Sequence, residues 1–336
     1  MRAGPLLMGR HLVGVPAAVA LLVIVAGLSL RYGALDIDTA TVWNAVWDYD
    51  RGDHAQIVVR ELRLHRTIIG IIAGASFAVA GALTQGVTRN PLGAPGILGT
   101  NAGAAFAVVT AIYIAGIATP AGYVWFAFAG ALGATVLVYA IASAGAGGAS
   151  PVKLALAGAV ISALLGSWTA ALLLLDVATL DQARFWLAGS ISGRGTAEAL
   201  LLLPIVAVAM IAALVLGRHV NALSLGAEVA AGLGQRTNVV RAASGLAVVA
   251  LAGSAVALAG PVAFVGLAVP HIVRSLVGPD YRWIILYSLF AGPCLLLGAD
   301  VIGRRIVAPQ ELQGGNPELA AASGDLRGGR RRVPGR

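Results

Sequence analysis

Catalysis and metal binding need ionisable side chains at matched spacing, and this chain has few of them. Its five histidines form no H-E-x-x-H pair, no aspartates are spaced for a diphosphate-bound metal, and no G-x-x-x-x-G-K-[ST] phosphate loop occurs. The single lysine is Lys153. The chain therefore does not hydrolyse ATP itself. His271 follows a proline, Pro270, but no other histidine, cysteine or carboxylate keeps ligand spacing with it, so no metal is expected. Cys294 lies in an apolar run, cannot make an internal disulfide, and reads as a small core residue. What remains is arginine. Arg63, Arg66 and Arg304 border apolar stretches. Guanidinium groups there can pair bidentately with the carboxylates of a partner, or simply snorkel to a membrane interface.

The elements that must position these groups are set by solvent. The chain is 58% hydrophobic and only 11% charged, against about 25% charged residues in an ordinary soluble protein. Apolar stretches of about 20 residues recur, long enough to cross a bilayer as helices that satisfy their own backbone. Continuous apolarity, as from Leu12 to Leu30, argues against the alternating pattern of a membrane β-barrel. The prediction is an all-α polytopic membrane protein with about nine spans: 12–30, 67–86, 102–118, 123–142, 153–175, 197–216, 239–259, 262–277 and 283–302. A polar stretch, 31–66, separates the first two. Asp181 to Gly193 reads as a short interrupted helix, and the first span as uncleaved. The net charge of +8 comes almost wholly from arginines between spans, which suits lipid phosphates and protein partners and not nucleic acid.

Two further patterns bear on mechanism. Gly70, Gly74 and Gly81 make a row that lets helices approach closely. The run 73–81 (AGASFAVAG) is echoed at 252–260 (AGSAVALAG), each followed by a helix-breaking proline, a faint repeat of the kind transporters carry. The segment Arg218 to Asn238 is too polar to span. Leu223, Leu225, Val229 and Leu233 can give it an apolar face, with Glu228 and Gln235 among its polar positions, and Gly226, Gly232 and Gly234 break it into short helices. Such an element can fit a groove on a soluble ATPase or lie on the lipid surface.

At these residues the chain resembles the iron-siderophore and cobalamin importer permeases (FecCD type). NALSLGAEVAAGLG (221–234) is similar to that family's coupling loop. LRLHRT (62–67) with QGVTRNPLGAPGILG (85–99), FWLAGS (185–190) and GPVAFVGLAVPHIVRSLVG (260–278) resemble its other characteristic stretches. The resemblance implies an importer permease fold of ten helices, a second permease subunit (a copy or a paralogue), two ATP-binding subunits that hold ATP and Mg, and a substrate-binding protein outside. It implies a multi-pass protein of the bacterial cytoplasmic membrane, N-terminus inside, carrying a ferric siderophore or a related iron chelate or corrinoid. By the same resemblance, Asn221, Leu223, Leu225, Gly226, Glu228, Leu233 and Gly234 belong to the ATPase-coupling loop. Arg63, Arg66 and Arg304 face the binding protein. Asn90, Pro91, Pro95, Gly99, Pro270, His271 and Arg274 are structural positions of the motifs. The chain itself binds no cofactor.

The runner-up is an ion-coupled secondary transporter. That class buries carboxylates near the bilayer midplane, whereas Asp176, Asp181, Glu198, Glu228 and Asp300 fall at span ends. The end of the chain departs from the family. Residues 1–312 form the permease domain, with Gln310-Glu311-Leu312 opening the segment that leads to a tenth span. Residues 313–336 are instead Arg- and Gly-rich, with no run that can cross a bilayer and a composition that predicts disorder. Either this is the native end, or the reading frame shifted near Gln313 and removed the tenth helix, the reading the composition favours.

Overall fold

A computed structural model describes residues 5–33, 36–117, 119–144, 150–193 and 195–307. The expected tail, 313–336, and the segment leading to it lie outside them. Every regular element among the described residues is helical. In chain order these are α1 (Pro5–Arg31), α2 (Thr39–Trp47), α3 (His54–Ile57), a π-helical stretch (Val58–Arg63), α4 (Leu64–Thr88), a 3-10 turn (Pro95–Leu98), α5 (Thr100–Ala115), α6 (Pro120–Ser143), α7 (Pro151–Leu175), α8 (Val177–Leu187), α9 (Thr196–Ser224), α10 (Ala227–Gly232), α11 (Thr237–Ala259), α12 (Val265–Val277) and α13 (Tyr281–Val307).

Seven of these stretches are long and apolar enough to cross a bilayer, and α5 and α12 are shorter apolar helices. At about 1.5 Å per residue, the 13 residues of α12 reach only about 20 Å. The non-helical run 260–264 must supply the rest of its depth. Helix starts follow capping chemistry. Thr119-Pro120 and Ser150-Pro151 each place a hydroxyl at the cap and proline in the first turn.

The layout is concentric. In the most apolar windows of α4 and α11, 83% and 72% of residues are buried, against 6% for α1. The two echoed sequences, 73–81 and 252–260, thus lie in the two central helices of the bundle, α4 and α11, which pack on each other. Exposed leucines, valines and isoleucines cover the outer faces of α1, α7 and α9.

The glycine row does the expected packing. A side chain on Gly70 would run into Leu297, one on Gly74 into the α13 backbone at Pro293, and one on Gly81 into the Gly266 carbonyl. That carbonyl is the one Pro270 leaves without an N–H partner, four residues back in α12. Proline and glycine therefore act together: one frees the carbonyl, the other gives it room against α4. Gly81→Ala is expected to separate α4 from α12 and cost about 1–3 kcal/mol, read as a lower melting temperature in detergent. An unchanged melting temperature would show the contact to be slack.

Three boundaries differ from expectation. The 31–66 stretch is mostly helical, because Asp38 and Asp53 cap α2 and α3, and the helix through α4 begins at His54, not near Thr67. The short helix α8 starts four residues earlier than expected, where the Asp176 carboxylate accepts from the Thr179 amide. Finally, α9 continues to Ser224, so Arg218 to Ser224 are its last turns and not part of a separate amphipathic segment.

Candidate functional site

The bundle has two polar ends, and each gathers residues singled out above. At one end lies the short helix α10. Gly226, which precedes it, has φ 121° and ψ 148°, a conformation essentially confined to glycine. Leu225, Val229 and Leu233, four residues apart, are all more than half exposed, whereas Ala230 is fully buried. Glu228 is exposed beside them. The result is a short helix anchored by alanine that presents three aliphatic side chains outward. Leu223 does not belong to that face: as part of α9 it points into the core, 2% exposed. Gln235 closes the segment by donating from Nε2 to the His219 carbonyl (2.9 Å), with Gly234 at positive φ just before it.

Asn221 ties this end of α9 to the start of α13. Its Nδ2 donates to Asp280 (2.6 Å), and its Oδ1 accepts from the Tyr281 amide (2.7 Å). Burial pushes the Asp280 carboxyl up, but hydrogen bonds from Arg282 and Asn221 outweigh it and hold the group below the usual carboxylate range. In the last turn of α12, Arg274 donates to Tyr281 Oη (2.6 Å), lies over that ring, and reaches Gln85 of α4 (3.4 Å). Gln85 in turn donates to the Leu267 carbonyl (3.2 Å). Four helices, α4, α9, α12 and α13, are thereby joined at this end of the bundle. Gln85 and Tyr281 had no assigned role in the sequence reading, although an amide inside an apolar span is a signal in itself.

The loop after α4 belongs to the same end. Arg89 caps α4 in the left-handed conformation, and its Nη1 lies 3.6 Å from where a Gly226 side chain would begin. The Asn90 carboxamide accepts from the Leu92 amide, Pro91 is exposed, Pro95 is buried and opens the 3-10 turn, and Gly99 (φ 79°) joins that turn to α5. His271 sits on an exposed face of α12 with no side-chain partner among the described residues. No group of three or more histidines, cysteines or carboxylates fit for a metal occurs among the described residues.

The opposite end is a buried clasp. Arg63 donates to the Leu30 and Arg31 carbonyls (2.8 and 2.6 Å). Arg304 donates to the Tyr32 carbonyl (2.9 Å) and the Ser29 hydroxyl (3.1 Å). Between them they take up the carbonyls that the end of α1 leaves open, with positive charge where the helix dipole is negative. Asp300 bridges two arginines: Arg66 donates to it from Nε (3.0 Å), and Arg304 Nε pairs with it at 3.0 Å. Arg66 also reaches Ser192 (3.1 Å). Arg63 and Arg304 are each 5% exposed. The three arginines expected to meet an external partner thus spend these donors within the chain.

Residues 21–316 match the model of the FecCD transport family. The chain belongs to that family. Relatives of this permease include the probable siderophore transport system permease protein YfiZ of Bacillus subtilis, 40% identical over 84% of this chain and 85% of the relative. The ferric enterobactin transport system permease protein FepD of Escherichia coli is 42% identical, covering 90% of each. Among solved structures, a putative metal-chelate type ABC transporter in an inward-facing conformation superposes with a TM-score of 0.76 at 26% identity, over 94% of this chain and 97% of that one. The permease is accordingly a multi-pass membrane protein with the importer permease fold, not an enzyme.

Proposed function

We propose that this permease is the membrane-spanning subunit of an ATP-driven importer for a ferric siderophore or a related iron chelate. The observation that carries the reading is α10, whose exposed Leu225, Val229 and Leu233 form a knob on a segment with family resemblance to a coupling loop. The knob fits an apolar groove on a separate ATP-binding subunit, two of which would sit beneath a pair of permease subunits and hold the ATP and Mg. The relatives named for siderophore and ferric enterobactin transport support the substrate class. The α10 end then faces the cytoplasm, as does the N-terminus, and the clasp end faces a substrate-binding protein. Arg63, Arg66 and Arg304 serve that docking by holding the ends of α1 and α13 in one shape.

Ion coupling finds less support. Glu198 is buried, but it sits in the first turn of α9, where the helix dipole favours its charge, and Asp300 is paired with two arginines. The test is uptake of an iron-loaded siderophore into proteoliposomes holding the permease, its ATPase and its binding protein. Uptake should require ATP and the binding protein and survive a protonophore. Uptake abolished by the protonophore with ATP present would favour ion coupling instead.

A further inference from the structure

At the α10 end a cavity of about 370 Å³ opens between α4, α6, α7 and α11. That is within the size range of small-molecule sites, roughly 300–1,000 Å³. Its walls are apolar, and the hydroxyls in them are mostly spent: Thr84, Thr88 and Thr135 each donate to the carbonyl four residues back on their own helix. Ser244 is the exception among the buried ones. It is fully buried, lines the cavity, and its hydroxyl has no hydrogen-bond partner.

Two arginines also line the cavity, Arg89 from the end of α4 and Arg241 from the first turns of α11. Neither has an ion-pair partner among the described residues, and no acidic residue lines the cavity. Val136, Tyr139 and Leu246 line it and are also exposed, so it opens sideways, among side chains that face lipid. Apolar walls, a lateral opening, two cations and one buried unspent donor suit a single kind of guest.

We propose that this cavity holds an acyl chain of an anionic phospholipid, with Arg89 and Arg241 on its phosphate and the Ser244 hydroxyl donating to an oxygen of the head region. A zwitterionic lipid offers the same chain without the net charge. A soluble anion offers the charge without anything to fill the apolar walls.

Native mass spectrometry of the purified full chain, with phosphatidylglycerol or phosphatidylcholine added, tests this. The wild type should retain phosphatidylglycerol at least about tenfold better, given two arginines near the headgroup. Arg89→Gln with Arg241→Gln should erase the preference while leaving residual binding of both lipids. Gly245 lines the cavity, and a side chain there meets nothing within 4 Å at its first atom, so Gly245→Leu should fill the space and displace both lipids. Equal retention of the two lipids by the wild type, or a preference that survives the double arginine substitution, would overturn the proposal. So would displacement of phosphatidylglycerol by inorganic phosphate or glycerol phosphate at equal concentration, which would make this a soluble-anion site. Lipid retention is read with no ATPase present, so it stands or falls apart from the coupling role of α10.

Discussion

Leu225→Asp is expected to abolish substrate-stimulated ATP hydrolysis and uptake while leaving membrane insertion and the melting temperature of the isolated permease close to wild type. Leu225 is 67% exposed and packs on little of its own chain, so a charge there costs the fold about 0.5 kcal/mol or less. The same charge inside an apolar groove of a partner is buried without a counter-ion. Loss of one central anchor at an interface commonly costs about 2–4 kcal/mol, and about 1.4 kcal/mol corresponds to a factor of ten in affinity. Gly226→Arg reaches the same end by another route. Its φ of 121° is closed to residues with a side chain, and Arg89 Nη1 stands 3.6 Å from the new Cβ. That variant should therefore lose coupling and some stability together. Normal substrate-stimulated hydrolysis in Leu225→Asp would remove α10 from the coupling mechanism, whatever Gly226→Arg does.

Much of this architecture was legible because the bilayer simplifies the reading. Continuous apolar runs located most of the spans to within a few residues, the start of the α4 span and the end of α9 excepted, and the glycines at 70, 74 and 81 announced close helix contacts. Some features were hidden by residues acting on distant parts of the chain. Nothing in 31–66 announces that Arg63 will cap α1 some thirty residues earlier, since hydropathy records the polarity of an arginine and not where its donors end. The same blindness affected the loop around 218–238. Leu223 and Leu225 are both apolar and lie within three residues of Gly226, but one sits in the last turn of α9 inside the core and the other lies beyond it, exposed. Only the extra length of α9 decides between them. Gln85 was visible as an amide in an apolar helix, yet its partners, Leu267 and Arg274, lie about 190 residues away in sequence. The cavity beside α11 left no sequence signature at all, because it is the space between four helices and not a property of any one.

The second large effect belongs to Asp300. Asp300→Ala leaves the guanidinium groups of Arg66 and Arg304, whose side chains are 15% and 3% exposed, without the carboxylate both of them meet. Removing one member of a buried charged set is costly, about 3–5 kcal/mol, because the remaining charge stays desolvated. The melting temperature of the detergent-solubilised permease should fall sharply, more than for Gly81→Ala. The loss should persist at high salt, since buried pairs are poorly screened. The clasp also makes a second, less obvious expectation. Replacing Asp300, Arg66 and Arg304 together by apolar residues of similar length should recover part of the lost stability, because no charge then remains to be solvated. Docking of the substrate-binding protein separates structure from recognition in that triple variant. If the arginines act only by shaping this end of the bundle, a stable triple variant should still bind the partner, with unchanged salt dependence. If their charge is itself recognised, binding should weaken most at low ionic strength, where screening is least. An Asp300→Ala protein that melts at the wild-type temperature would mean that the three helices are held by packing alone and that the clasp is ornamental to the fold.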